Sequence, residues 1–209
     1  MGVRGTMGDR WKVAGLALVV GLGLGSASHA AENILVEVGP ASRTFSVDEL
    51  AAYARTGESS RQLQYYFDQL DAETLEGITE ALNYPIEVDF VQFAKFLRSP
   101  GGECVLEEIA QFVTPDIDSL SGSKALRAAL VNAASPDGKM SAIEILEKYP
   151  ASTIQVDQNA LQGEGDRYAE LQEDINTLLQ DAGIEEGKSL ADVDYDVLAE
   201  GASRLLCAP

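Results

Sequence analysis

Apolar side chains recur at helical spacing through the middle of the chain. From Val88 to Leu97 they fall at Val88, Phe90, Val91, Phe93, Ala94, Phe96 and Leu97. Positions 90, 93, 94 and 97 make one stripe, and the others occupy further faces, as in a helix packed on several sides. Ser99-Pro100 then reads as a helix start: a hydroxyl cap followed by proline at the first helical position, where its missing N–H costs nothing. The helix after it carries Val105, Leu106, Ile109, Phe112 and Val113 on one stripe and is expected to stop before Pro115. The corner Ser99-Pro100-Gly101-Gly102-Glu103 joins the two helices, and the pair is the expected core of a small helical domain.

Helix starts elsewhere are equally legible. Ser46-Val47-Asp48-Glu49 is a capping box, with Phe45 placed to staple onto Leu50, and the helix is expected to end near Thr56-Gly57. Ser59–Gln62 repeats the box before Leu63, Tyr66, Phe67 and Leu70. Asp71 caps a third helix with Leu75, Ile78 and Leu82 on one stripe, closing at Asn83-Tyr84-Pro85. Ser123–Ala134 gives a helix with Leu126, Ala129, Leu130 and Ala133 inside, and Asp137-Gly138 turns the chain. Ser141 starts another helix, which ends before Pro150.

Strand signals are few. Ile34–Val38 is β-rich and is punctuated by Gly39-Pro40, after which Arg43–Phe45 completes a hairpin; Thr153–Val156 is a third candidate. Beyond Asp157 the composition changes. Gln158–Asp166 is polar and reads as a linker. Asp166–Ala182 then carries Tyr168, Leu171, Ile175 and Leu178 on a helical seam that Gly183 stops. A last helix, Asp194–Cys207, presents Val197, Leu198, Ala202, Leu205 and Leu206. The expected fold is mainly α: a compact multi-helix domain over 31–157, with a minor N-terminal β-hairpin or small sheet, and an acidic helical C-terminal extension over 158–209.

The first 30 residues change the functional picture. Arg4, Arg10 and Lys12 precede an apolar run, Val13–Gly25, and Ser28-His29-Ala30 has the small-x-small form of a cleavage site. This reads as a secretory leader cut after Ala30 or Ala31, the alternative being a retained anchor. The run is glycine-rich and shorter than the ~20 residues of a comfortable membrane span. Periplasmic or extracellular export is expected, with no membrane span after cleavage.

The whole chain has 15 Lys and Arg against 34 Asp and Glu. Taking away Arg4, Arg10, Lys12 and Asp9 leaves 12 against 33, a formal charge of −21. Such a charge repels nucleic acid and anionic membranes. The leader also takes with it the single histidine, His29, and the single tryptophan, Trp11. Without histidine, neither a Ser-His-Asp nor a Cys-His site can be built, nor a histidine metal site. No catalytic residue and no cofactor are therefore expected.

Cys104 and Cys207 are the two cysteines. In an oxidising compartment the pair reads as a disulfide tying the last helix to the central one; the alternative is two unpaired thiols. Asp192-Val193-Asp194-Tyr195-Asp196 has the alternating carboxylates of a calcium loop. However, the sixth position is Val197 and the twelfth Ser203, where glycine and glutamate are required, so helix capping is the better reading and no metal is expected. Gly101-Gly102-Glu103 could hold an anion at a helix N-terminus, but Glu103 already complements that dipole, which favours tight helix packing. Tyr65, Tyr66, Phe67, Phe90, Phe93, Phe96 and Phe112 could line a pocket for a small apolar ligand such as an acyl chain, and otherwise form core.

These features together resemble a known family. They are Val38-Gly39-Pro40 after the first strand, Phe45–Leu50, the run Phe93–Glu103, Ala125–Leu130, and Pro150 followed by Thr153–Asp157. The stretch from about 33 to 157 is similar to a cyanobacterial domain of unknown function found at the N-terminus of predicted α/β-hydrolases. Its most specific piece is the Ser-Pro-Gly-Gly-Glu corner. The resemblance implies a helical module associated with an exported hydrolase, and so a protein partner. The departure lies downstream: where longer relatives continue into a hydrolase, this chain continues into the acidic segment 158–209. It has no Gly-x-Ser-x-Gly elbow, and no catalytic residue is carried over. Two function classes follow, a non-enzymatic accessory module or a small-ligand binder. A third possibility is membership of a hydrolase family by label alone.

Overall fold

The computed structural model describes residues 30–38, 41–116, 121–135, 137–157, 165–184 and 189–207. The expected leader as far as His29, the Gly39-Pro40 turn and most of the expected linker lie outside the described residues. In chain order the elements are β1 (Asn33–Val38), β2 (Ala41–Ser46), α1 (Val47–Thr56), α2 (Arg61–Phe67), α3 (Ala72–Asn83), β3 (Ile86–Glu87), α4 (Phe90–Phe96) and α5 (Pro100–Ile109). They continue with β4 (Val113–Pro115), α6 (Gly122–Ala134), β5 (Lys139–Met140), α7 (Ala142–Glu147), β6 (Thr153–Asp157), α8 (Gly165–Asp181) and α9 (Tyr195–Leu205). The protein is mainly α with a minor sheet, as expected, and that sheet has four strands where a hairpin and a third candidate strand were foreseen.

Local chemistry accounts for the helix ends. Ser46 accepts the Glu49 N–H, and Gly57 ends α1 in the left-handed conformation (φ +73°), where its N–H reaches the Tyr53 carbonyl at 2.7 Å. Asp71 caps α3 through the Thr74 N–H at 2.8 Å. Three starts differ from the sequence reading. Ser60, not Ser59, caps α2, accepting from Leu63 at 3.2 Å, while the Ser59 hydroxyl donates to Gln64 Oε1. Ser121 caps α6, two residues ahead of the expected start. Asp89 caps α4, so Val88 precedes the helix and donates its N–H to the Gly138 carbonyl at 2.8 Å. For α2 and α6 two serines stand close together, and the one whose oxygen meets a free N–H wins; for α4 Asp89 is the capping side chain at hand.

The larger correction concerns Val113. The helix after the Ser-Pro corner ends at Ile109, and Val113–Pro115 leaves it to form β4, antiparallel to β6. Val113 and Thr114 are β-branched and suit a strand. Pro115, which lacks an N–H, is tolerated because β4 is an edge. The sheet order is β2-β1-β6-β4. β1 and β2 form the expected hairpin, with Ile34 opposite Phe45, while β1 runs parallel to β6 with Ile34 beside Ile154. The whole helical body, α1 to α7, is thus threaded between two neighbouring parallel strands. A second, two-stranded sheet, with Ile86 opposite Met140, was not visible in the sequence because each strand has only two residues.

One buried cluster holds the molecule together. Ile34 and Ile154 from the sheet meet Phe93, Phe96 and Leu106 from α4 and α5, and Ala125 and Ala129 from α6. Residues beyond 157 belong to the same cluster: Leu178 and Ala182 from the α8 end, then Tyr195, Leu198 and Ala202 from α9. Val197 and Leu205 were expected on that face and are 38% and 45% exposed. Val197 sits about 100° around the helix from Leu198, and Leu205 lies in the last turn.

A smaller cluster, Tyr53, Leu63 and Phe67, seats α2 and α3 with help from Phe45, Leu50 and Leu75. α3 has no buried residue at all, and Gly77 in its middle has nothing within 4 Å of where a Cβ would stand. Gly77→Ala is therefore expected to stabilise the protein by about 0.5–1 kcal/mol, since alanine loses less backbone freedom on folding and meets no obstacle. A higher urea midpoint at unchanged slope would show it.

Tyr149 and Tyr195 are both buried. Burial, aided by Asp116 for the first and Asp89 for the second, pushes each phenol up to about 12. In the unfolded chain a phenol titrates near 10, so between pH 10 and 12 the unfolded state loses protons that the folded state keeps. Stability is thus unaffected below pH 10 and falls as pH rises from 10 to 12. Denaturant melts across that range are expected to show the fall, and Tyr149→Phe is expected to reduce its slope.

Candidate functional site

The Ser-Pro-Gly-Gly-Glu corner, the disulfide and α9 come together in one place. Ser99 donates its hydroxyl to the Phe96 carbonyl at 2.8 Å and accepts the Gly102 N–H at 3.1 Å, closing α4 and opening α5 with one side chain. Pro100 supplies the first helical residue without a donor to satisfy. Gly101 and Gly102 are both buried. A Cβ on Gly101 would overlap the Ala199 carbonyl and lie 2.9 Å from the Ser203 nitrogen, so α9 crosses α5 at backbone contact. A Cβ on Gly102 would overlap the Phe96 carbonyl, so the corner itself also requires glycine.

Glu103, in the first turn of α5, is exposed and pairs with Arg127 of α6 at 3.0 Å. The N–H groups of Gly102 and Glu103 are directed to Ser99, and the Glu103 charge is answered by Arg127. The corner packs α4, α5 and α9 together.

The expected bridge forms between Cys104 on α5 and Cys207 just beyond α9, with Cα atoms 5.6 Å apart. Cys207 Sγ also lies 3.5 Å from the Pro100 carbonyl; in a disulfide it has no proton to donate, so this is a contact rather than a hydrogen bond. α9 is therefore clipped at its C-terminal end and seated along its length. Tyr195 rests against Phe93 and Phe96, ring centroids 6.3 and 6.0 Å apart. At its N-terminal end, Asp194 accepts from the N–H groups of Asp196 and Val197 at 3.1 and 3.2 Å. The carboxylate once suggestive of a calcium loop is thus a helix cap. Among the described residues no three acidic, cysteine or histidine side chains gather as a metal set.

The aromatic set is divided among three places. Phe67 packs with Tyr53, Phe93 and Phe96 meet Tyr195, and Phe45 takes the edge of Tyr66. Phe112 is buried, Phe90 is half-buried, and Tyr65 is exposed. These residues do not line one pocket. A concave surface among the described residues lies elsewhere: a cleft of about 430 Å³ between Tyr84–Glu87 on one side and Leu179, Ile184, Ser189 and Leu190 on the other. A smaller cleft of about 250 Å³ shares Pro85 with it and holds Arg55 and Lys139, which face Glu147 and Glu87 as ion pairs. Neither cleft was legible in the sequence, because both are assembled from residues far apart in the chain. No helix among the described residues is long and apolar enough to cross a membrane.

Fold and joint define a helical module closed by a small mixed sheet and covered on one side by its own last helix. The chain belongs to the family described as alpha/beta hydrolase of unknown function (DUF1400), whose family model matches residues 30–157. The match ends at the last strand. α8 and α9 lie beyond it, although α9 packs on Phe93, Phe96 and Gly101 within it. Searches of curated proteins and of solved structures gave no match.

Proposed function

We propose that this chain is an exported, non-catalytic accessory module that docks onto a protein partner, an exported α/β-hydrolase being the expected class. The observation that carries this reading is a disagreement between family and chemistry. The family description says hydrolase, yet the sequence after residue 29 has no histidine and nowhere has a Gly-x-Ser-x-Gly elbow. The disulfide supports an oxidising compartment, as does the basic-then-apolar start of the chain. The acidic surface disfavours nucleic acid and anionic membranes as partners.

The test is a cross-linking pull-down from the exported fraction with tagged mature protein as bait. Stoichiometric recovery of one exported hydrolase supports the reading. Saturable ester hydrolysis by the purified chain alone, abolished by a single serine or carboxylate substitution, would overturn it. A second reading, a carrier of a small apolar ligand, is favoured by the 430 Å³ cleft, which falls within the size range of ligand pockets. Native mass spectrometry of protein purified from cells distinguishes the two by the presence or absence of a co-purified ligand.

A further inference from the structure

We infer that α9 is a disulfide-held cover over a helix-binding groove on α4 and α5, and that cleaving Cys104–Cys207 opens the groove to a helix of α9's own kind. The groove has a definite shape. Phe93 and Phe96 form one wall, and the buried Gly101 forms a floor on which another backbone lies at contact distance. Only a helix with small residues at the crossing fits such a floor, and α9 provides Ala199, Ala202 and Ser203 there. The seated helix thus specifies the occupant: an amphipathic helix with a small-residue stripe and an aromatic anchor where Tyr195 sits.

The means of release are also visible. The contact between α9 and α5 is apolar and close-packed, and the covalent link sits at the far end of the helix, on Cys207. Both cysteines are half-buried, within reach of a reductant. The near end has its own anchor. Ser189 donates to the Glu87 carbonyl at 3.0 Å and Leu190 bridges to Val88, which fixes the point from which α9 swings. The reaction is thiol–disulfide exchange with a dithiol. Its thiolate attacks one sulfur and breaks the S–S bond to form a mixed disulfide, which its second thiol resolves. Cys104 and Cys207 end as thiols, reduced by two electrons and two protons, and the dithiol ends oxidised.

This inference deepens the docking reading by assigning it a face, but its test needs no partner. In hydrogen exchange on the full mature chain, reduction is expected to speed α9 amides at least about tenfold more than those of β1 and β6, which gain only what the lower global stability gives them, the pattern of sub-global opening. Unchanged α9 protection, or equal loss of protection in α9 and the sheet, would overturn it. The full-length Cys207→Ser chain, its sheet protection verified in the same way, is then offered a thiol-activated peptide of residues 193–207. Cys104 is expected to capture this peptide about tenfold faster than a scrambled one, the margin that about 1.4 kcal/mol of specific binding supplies. Equal rates would overturn the groove. A blank pull-down alongside positive results here would reject the hydrolase partner and leave the cover intact.

Discussion

Gly101→Ala is expected to destabilise the protein by about 3 kcal/mol, at or beyond the upper end of ordinary overpacking. The added methyl overlaps the Ala199 carbonyl and crowds the Ser203 nitrogen, both backbone atoms that no rotamer change can move. Alanine's better helix propensity returns only about 1 kcal/mol. α9 must shift away from α5, and with it Tyr195, Leu198 and Ala202 leave the buried cluster. Thermal unfolding with and without the substitution measures the cost. Gly102→Ala is expected to be as damaging for a different reason, since its methyl overlaps the Phe96 carbonyl and forces open the α4–α5 corner. Near wild-type stability in either variant would mean that the joint is looser than described.

Replacing both cysteines by serine is expected to cost about 2–5 kcal/mol. The bridge closes 103 positions of sequence, and the chain-entropy estimate for a loop of about 100 residues is about 4.7 kcal/mol. For a chain of this size the cost corresponds to a fall in Tm of roughly 5–15 °C. Reductant added to the wild type is expected to reproduce most of the fall and to leave the double-serine variant unmoved. If both proteins respond alike, the effect is not the bridge.

Much of the helical body was readable because its signals are local. Ser46, Asp71, Ser99 and Ser141 each announce a helix by a side chain that reaches an N–H three residues on. Gly57, Gly138 and Gly183 mark turns because each adopts a positive φ. The Ser99–Glu103 corner could be read as packing rather than binding because Glu103 already stood where an anion would. What escaped was set at long range. β4 exists because β6 offers it a partner some 40 residues later, and nothing in Val113-Thr114-Pro115 alone separates a strand from a helix's last turn. The seat of α9 on Gly101 was equally hidden, because a glycine pair does not say which backbone will approach it. Cys104 and Cys207 were the one clue that the last helix returns to α5, and they were read correctly.

The parallel pairing of β1 with β6 sets an order of events. Ile34 and Ile154 stand side by side but 120 positions apart, and contacts so distant in sequence form late and slowly. A chain made from its N-terminus displays the β1–β2 hairpin with the other backbone edge of β1 unpaired until Asp157 has emerged. The last piece to arrive, α9, comes later still. A chain arrested or clipped before β6 would leave β1 and β4 without their shared neighbour, two unsatisfied edges seeking strands in other molecules. β6 is thus the point at which a sticky nascent chain becomes a closed one.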